Sequence, residues 1–184
     1  MKHAAVAEIV ALFRIEQSFQ LFFYFCRVFC VNEPQQICYS DKMRVRNDCG
    51  LAVDVADCAL EKKLLETGKV EFLKANARAL PHNLEKVDFL CSDVSFISLT
   101  YVLQSMFDLL KTDGEAVVLI KPQFELDKSA LNKSGIVTDE KLRKKAVENV
   151  TEYARNVGFK ILNLSTSPIR YENKNIEYLL YMKK

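Results

Sequence analysis

Glycine is scarce in this chain of 184 residues, with five in all, where average usage gives roughly twelve or thirteen. They stand at Gly50, Gly68, Gly114, Gly135 and Gly158. That spacing excludes a GxGxxG turn, a Walker loop or any other glycine-dense phosphate cradle. A nucleotide or nucleoside cofactor is held without that device, or not held. Histidine is limited to His3 and His82, and the six cysteines, all between Cys26 and Cys91, form no CxxC pair. No metal site is expected from such spacings. A long hydrophobic run is missing as well. The most apolar stretch, Leu21–Val31, is interrupted by Arg27 and falls short of the ~20 apolar residues of a spanning helix. It reads as a buried strand or core helix, and no membrane partner is expected. With no recognisable signal peptide, reduced thiols in a cytoplasmic protein are the expectation.

What is present suits one compact domain over residues 1–184, with 49% hydrophobic and 27% charged residues and enough chain for a real core. The net charge of +2 announces no nucleic-acid partner. Residues 121–184, however, hold 13 of the 26 Lys+Arg and only 8 of the 24 Asp+Glu. That basic third suits either nearby phosphates or solvated helix faces.

The hydrophobic pattern predicts a helix over 4–18, a loop over 32–48, and strands at 50–55, 69–74 and 87–92. Asp57 caps a helix that stops at Gly68. A helix is expected from Leu99 to Leu110 and a strand over 115–121. A second, charged helix over 139–157 carries Leu142, Ala146, Val150, Tyr153 and Val157 as its apolar stripe and ends at Gly158. Residues 159–165 and 176–182 form two strands with only a loop between them. Strand–helix alternation implies parallel crossovers, and the last pair an antiparallel edge. The fold class is α/β: a doubly wound, mostly parallel, Rossmann-like sheet with an antiparallel final strand.

Ligands in open α/β sheets sit at the carboxyl ends of the strands. Asp54, Asp93 and Lys121 lie at such ends, and Asn76 just after one. Asp54 is placed either to accept from ribose hydroxyls or to form a turn. A lysine ending a buried strand is costly unless it meets an acid or works at a site, so a structural Lys121–Asp93 ion pair competes with a functional reading. Glu177, placed in the last strand between Ile176 and Tyr178, is open to the reading of a solvent-facing edge residue.

DVSFISL (93–99), IKPQFE (120–125), SGIV (134–137), SPI (167–169) and NIEY (175–178) occur in this order. With the weaker AVDV (52–55) and NAR (76–78), they resemble the hemolysin A/TlyA family of FtsJ-like, S-adenosylmethionine-dependent RNA ribose 2′-O-methyltransferases over about residues 50–184. The resemblance implies S-adenosylmethionine as cofactor and RNA, in particular rRNA or a ribosomal subunit, as partner. It implies a Lys-Asp-Lys-Glu tetrad, of which Asp93, Lys121 and Glu177 match the last three members. Lys121 is then the candidate base, with Asp93 and Glu177 orienting it and the hydroxyl. Asp54, Asn76 and Asp93 are the candidate cofactor-binding residues. The family's first lysine and its TGGF-like cofactor loop belong upstream of residue 50. VFCVNEPQQIC stands there instead, and no S4 domain is recognisable. Ala56 and Lys174 stand where the family usually has glycine. Two readings follow: an active methyltransferase with a divergent cofactor loop, or an impaired family member acting as an RNA- or protein-binding module. A cytolysin is a third, weaker class.

Overall fold

The computed structural model describes residues 28–31, 50–56, 66, 68, 70–168 and 171–184. The helix expected over 4–18, the loop over 32–48 and the body of the helix capped by Asp57 lie outside the described residues. Seven strands form one sheet among those described: β1 (Val28–Val31), β2 (Gly50–Asp54), β3 (Val70–Lys74), β4 (Val87–Ser92), β5 (Leu110–Ile120), β6 (Lys160–Thr166) and β7 (Tyr178–Lys183), in the order β3-β2-β1-β4-β5-β7-β6. β2 and β3 pair in parallel, as do β4 and β5, while β7 runs antiparallel to both β5 and β6. The mostly parallel sheet with an antiparallel final strand is therefore observed. One further strand departs from it. β1 runs antiparallel to both β2 and β4, a direction that the aromatic run around it did not announce.

Side chains alternate along the central strands and build two buried clusters. Val118, Ile120, Leu180 and Met182 join Leu90, Leu103, Met106 and Val150 in the larger one. Val117 and Leu179 turn to the other face with Ala52, Phe89 and Cys91. Continuous apolar runs such as VVLI thus bury both faces, as a doubly wound sheet requires.

Three helices are described: α1 (Leu103–Leu109), α2 (Pro122–Glu125) and α3 (Glu140–Val157). α3 follows local rules. The Asp139 side chain accepts from Lys141 N at its start, and Gly158 ends it at φ +120°. Its buried stripe is Ala146, Val147, Val150, Thr151 and Ala154. Tyr153, expected in that stripe, is exposed. The single helix expected from Leu99 to Leu110 is two pieces, a 3-10 turn at Leu99–Tyr101 and then α1. β5 begins at Leu110, earlier than expected, and ends at Ile120, so Lys121 lies just past it.

Candidate active site

The sheet register assembles the site. Val118 pairs with Ser92, and Ile120 pairs with Tyr178. The next residues along, Asp93, Lys121 and Glu177, therefore meet at one edge, formed by the carboxyl ends of β4 and β5 and the amino end of antiparallel β7. Glu177 precedes β7 rather than lying in it, which corrects its placement in the last strand.

Lys121 Nζ lies 2.6 Å from Asp93 Oδ1, with side-chain exposures of 13% and 18%. Nζ also donates to Ser95 Oγ at 2.9 Å. Asp93 Oδ1 has no well-aligned hydrogen bond despite this proximity, so its contact with Lys121 is one of charge, and the directed bond goes to Ser95. The ion pair anticipated as the structural explanation is thus real, but it leaves Glu177 unexplained. Burial pushes the Glu177 carboxyl above the usual carboxylate range, with Lys121 drawing it down and Asp93 pushing it up. Glu177 is half-buried, and the pairing of Tyr178 with Ile120 sets it beside Lys121, so the solvent-facing reading is set aside.

Asp54 and Asn76 stand apart from this cluster, on the far side of β1. Asp54 ends β2 and is buried; its Oδ1 accepts from Ala56 N at 2.9 Å, and its carbonyl from Ala75 N at 3.0 Å. Asn76 is exposed, and its Oδ1 accepts from Arg78 N at 3.0 Å. Both side chains bond to the backbone two residues on, the turn that is one of the two readings of Asp54. Asp54 and the cluster lie at the same edge of the sheet, since Val28 of β1 pairs with both Val53 and Ser92. Val28 of β1 pairs with Ser92, beside the Lys121 cluster, and Val31 pairs with Phe89. β1 therefore ends at the edge away from the site.

Several residues that spacing alone did not single out lock the motifs together. Glu125 accepts from Leu99 N at 2.9 Å and from Ser98 Oγ. It thereby ties the end of IKPQFE to DVSFISL and starts the 3-10 turn. Burial raises the Glu125 carboxyl, while these two bonds draw it down. Asn175 accepts from Val137 N and donates to Gly135 O, both at 2.9 Å, joining NIEY to SGIV. Ser167 N donates to Glu177 O at 2.8 Å, adding SPI. Phe96 is 85% exposed at φ +62°, its ring 5.0 Å from that of Phe124. An exposed aromatic in that strained region suggests a functional constraint. The signal for all of these was membership in the motifs.

Among the described residues, no cluster of three His, Cys, Asp or Glu could hold a metal ion. No helix among them is long and apolar enough to cross a membrane.

The model of the FtsJ-like methyltransferase family matches residues 36–184, reaching upstream of Gly50. The 16S/23S rRNA (cytidine-2′-O)-methyltransferase TlyA of Mycobacterium tuberculosis is 34% identical over 136 residues, covering 72% of this chain and 51% of that protein. Hemolysin A of Brachyspira hyodysenteriae is 36% identical over 134 residues, covering 71% and 56%. The chain thus spans about half the length of these curated relatives. Among solved structures, a hemolysin-like protein from Streptococcus thermophilus matches with a TM-score of 0.68 and 34% identity, over 73% of this chain and 50% of the other. A fibrillarin from Methanococcus jannaschii, at 19% identity and TM-score 0.54 over 72% and 54%, shares the fold.

Proposed function

This chain belongs to the FtsJ-like methyltransferase family, and on that premise we propose that it methylates a ribose 2′-hydroxyl of RNA, in particular rRNA, with S-adenosylmethionine as donor. The observation that carries this reading is the meeting of Lys121, Asp93, Ser95 and Glu177 at the ligand edge of the sheet. The rRNA component rests on the printed names of the relatives.

Bound S-adenosylmethionine would supply an electrophilic methyl group on a sulfonium. Asp54 and Asn76 would hold its nucleoside end, with Asp93 beside the reacting centre. The protein's remaining work is to position and activate a weak nucleophile. Lys121, its Nζ fixed by Asp93 and Ser95, is the group placed to take the hydroxyl proton as the methyl is transferred, and Glu177 orients the hydroxyl. Phe96 offers a ring face to the base attached to that ribose. Residues 1–184 act as one methyltransferase-like domain in this reading.

The direction of β1 favours a second reading, a family member that keeps the acceptor site and binds the cofactor poorly, serving as an RNA- or protein-binding module. Calorimetry with S-adenosylmethionine separates the two. The enzyme reading expects saturable binding that Asp54→Ala weakens by about tenfold or more, the loss of a hydrogen bond to a charged group. Absence of heat at millimolar cofactor would leave only the binding module.

A further inference from the structure

A concavity of about 520 Å³ opens beside the Lys121 cluster, walled in part by Arg78, Phe96, Tyr101, Phe124, Lys145 and Asn149. Two of its rings lie open to solvent: Phe96 is 85% exposed and Tyr101 59%. Neither is loosely held. Phe96 leans on Phe124, and the Arg78 guanidinium lies 4.5 Å from the centroid of the Tyr101 ring. The loop carrying Arg78 is itself pinned, by Ser105 Oγ donating to Ala77 O at 2.5 Å. Lys145 is exposed on α3, one turn from Lys141 and Asn149 on the same stripe. Two acids also border the concavity. Glu125 spends both carboxylate oxygens on Ser98 and Leu99, and Asp127 starts the 3-10 turn Lys128–Ala130 at the rim.

We propose that this groove holds a second nucleotide of single-stranded RNA, adjacent to the one whose ribose enters the Lys121 site. Its base lies against the Tyr101–Arg78 stack, and its phosphate is neutralised by Arg78 and Lys145. The proposal rests on the RNA reading above. The chemistry is that of unpaired RNA: every base has a π-face that stacks on aromatic rings and guanidinium planes, and cations beside such platforms track the backbone. Pre-stacking on Tyr101 fixes Arg78 in advance, which lowers the ordering cost of binding.

The test is fluorescence anisotropy with a labelled, mixed-sequence ribo-oligonucleotide of about ten nucleotides. Tyr101→Ala is expected to weaken binding about tenfold, whereas Tyr101→Phe, which keeps the ring, holds it within about twofold. Arg78→Ala and Lys145→Ala are expected each to reduce the slope of log affinity against log salt by about 0.7. Lys160→Ala, which removes an exposed cation at the start of β6 and outside the groove, leaves the slope unchanged. Wild-type affinity in Tyr101→Ala, or equal slopes in the Lys145 and Lys160 variants, overturns the proposal, as does a wild-type protein that ignores RNA. Because no methyl donor is present, failure here is distinct from failure of the enzyme reading. That reading fails instead if wild-type protein binds the oligonucleotide but never methylates RNA.

Discussion

Glu177 bears most directly on whether the cluster at the sheet edge is functional. Burial raises its carboxyl above the usual range, so between the ordinary and the raised value the folded chain binds more proton than the unfolded one. Stability contributed by this group is therefore fully present below the ordinary value and falls as pH rises through the raised one. Glu177→Gln is expected to match wild type in thermal unfolding at acid pH and to exceed it at neutral pH, while losing about 10²-fold or more in methyl transfer. A variant that is both active and no more stable at neutral pH would remove Glu177 from the site. Asp93 and Lys121 were legible from sequence, because a charged residue directly after an apolar strand is conspicuous. Glu177 was legible only through its motif. Alternation suggested a solvent-facing residue, and its neighbourhood comes from the antiparallel register that sets Tyr178 against Ile120. Ser95 had no signal of its own, since a serine in a loop is ordinary until a lysine is found donating to it.

At the scale of elements, legibility depended on how local the determinants were. α3 was expected over 139–157 and observed over 140–157, because a capping Asp139 and a terminating Gly158 are local signals. A Cβ at position 158 would sit 2.9 Å from Phe107 Cζ, on a backbone at φ +120°. Gly158→Ala is expected to cost about 1–3 kcal/mol in denaturant unfolding, and an unchanged midpoint would refute the strain. The stretch from Leu99 to Leu110 departs from the single helix expected, because Val102, at φ −117° and ψ −18°, both closes the 3-10 turn and opens α1, and Leu110 is already in β5. No helical periodicity reports such a junction. Asn175 acts at the same scale as a clasp between the loop 135–137 and the approach to Glu177. Asn175→Ala leaves the Val137 N–H and the Gly135 carbonyl without these partners. It is expected to lower kcat several-fold with little change in cofactor affinity, measured by calorimetry beside steady-state kinetics. A loss confined to cofactor affinity would place Asn175 elsewhere in the mechanism.

For the whole molecule, the α/β class and the antiparallel final strand were readable from the alternation of apolar runs and helical stripes. The reversed β1 was not, since four residues of strand look the same in either direction. β1 ends at the edge away from Asp93, Lys121 and Glu177, and that cluster is built without a glycine-dense turn. The central claim is that Lys121, Asp93 and Glu177 carry ribose methylation, and its most direct measurement is transfer of a labelled methyl group from S-adenosylmethionine to ribosomal RNA, with digestion to nucleosides. The account predicts a 2′-O-methylated nucleoside from wild type and a loss of at least about 10²-fold in Lys121→Ala, with the fold unchanged by circular dichroism. Methyl recovered on a base instead of a ribose, no transfer by wild type, or full activity in Lys121→Ala would contradict it.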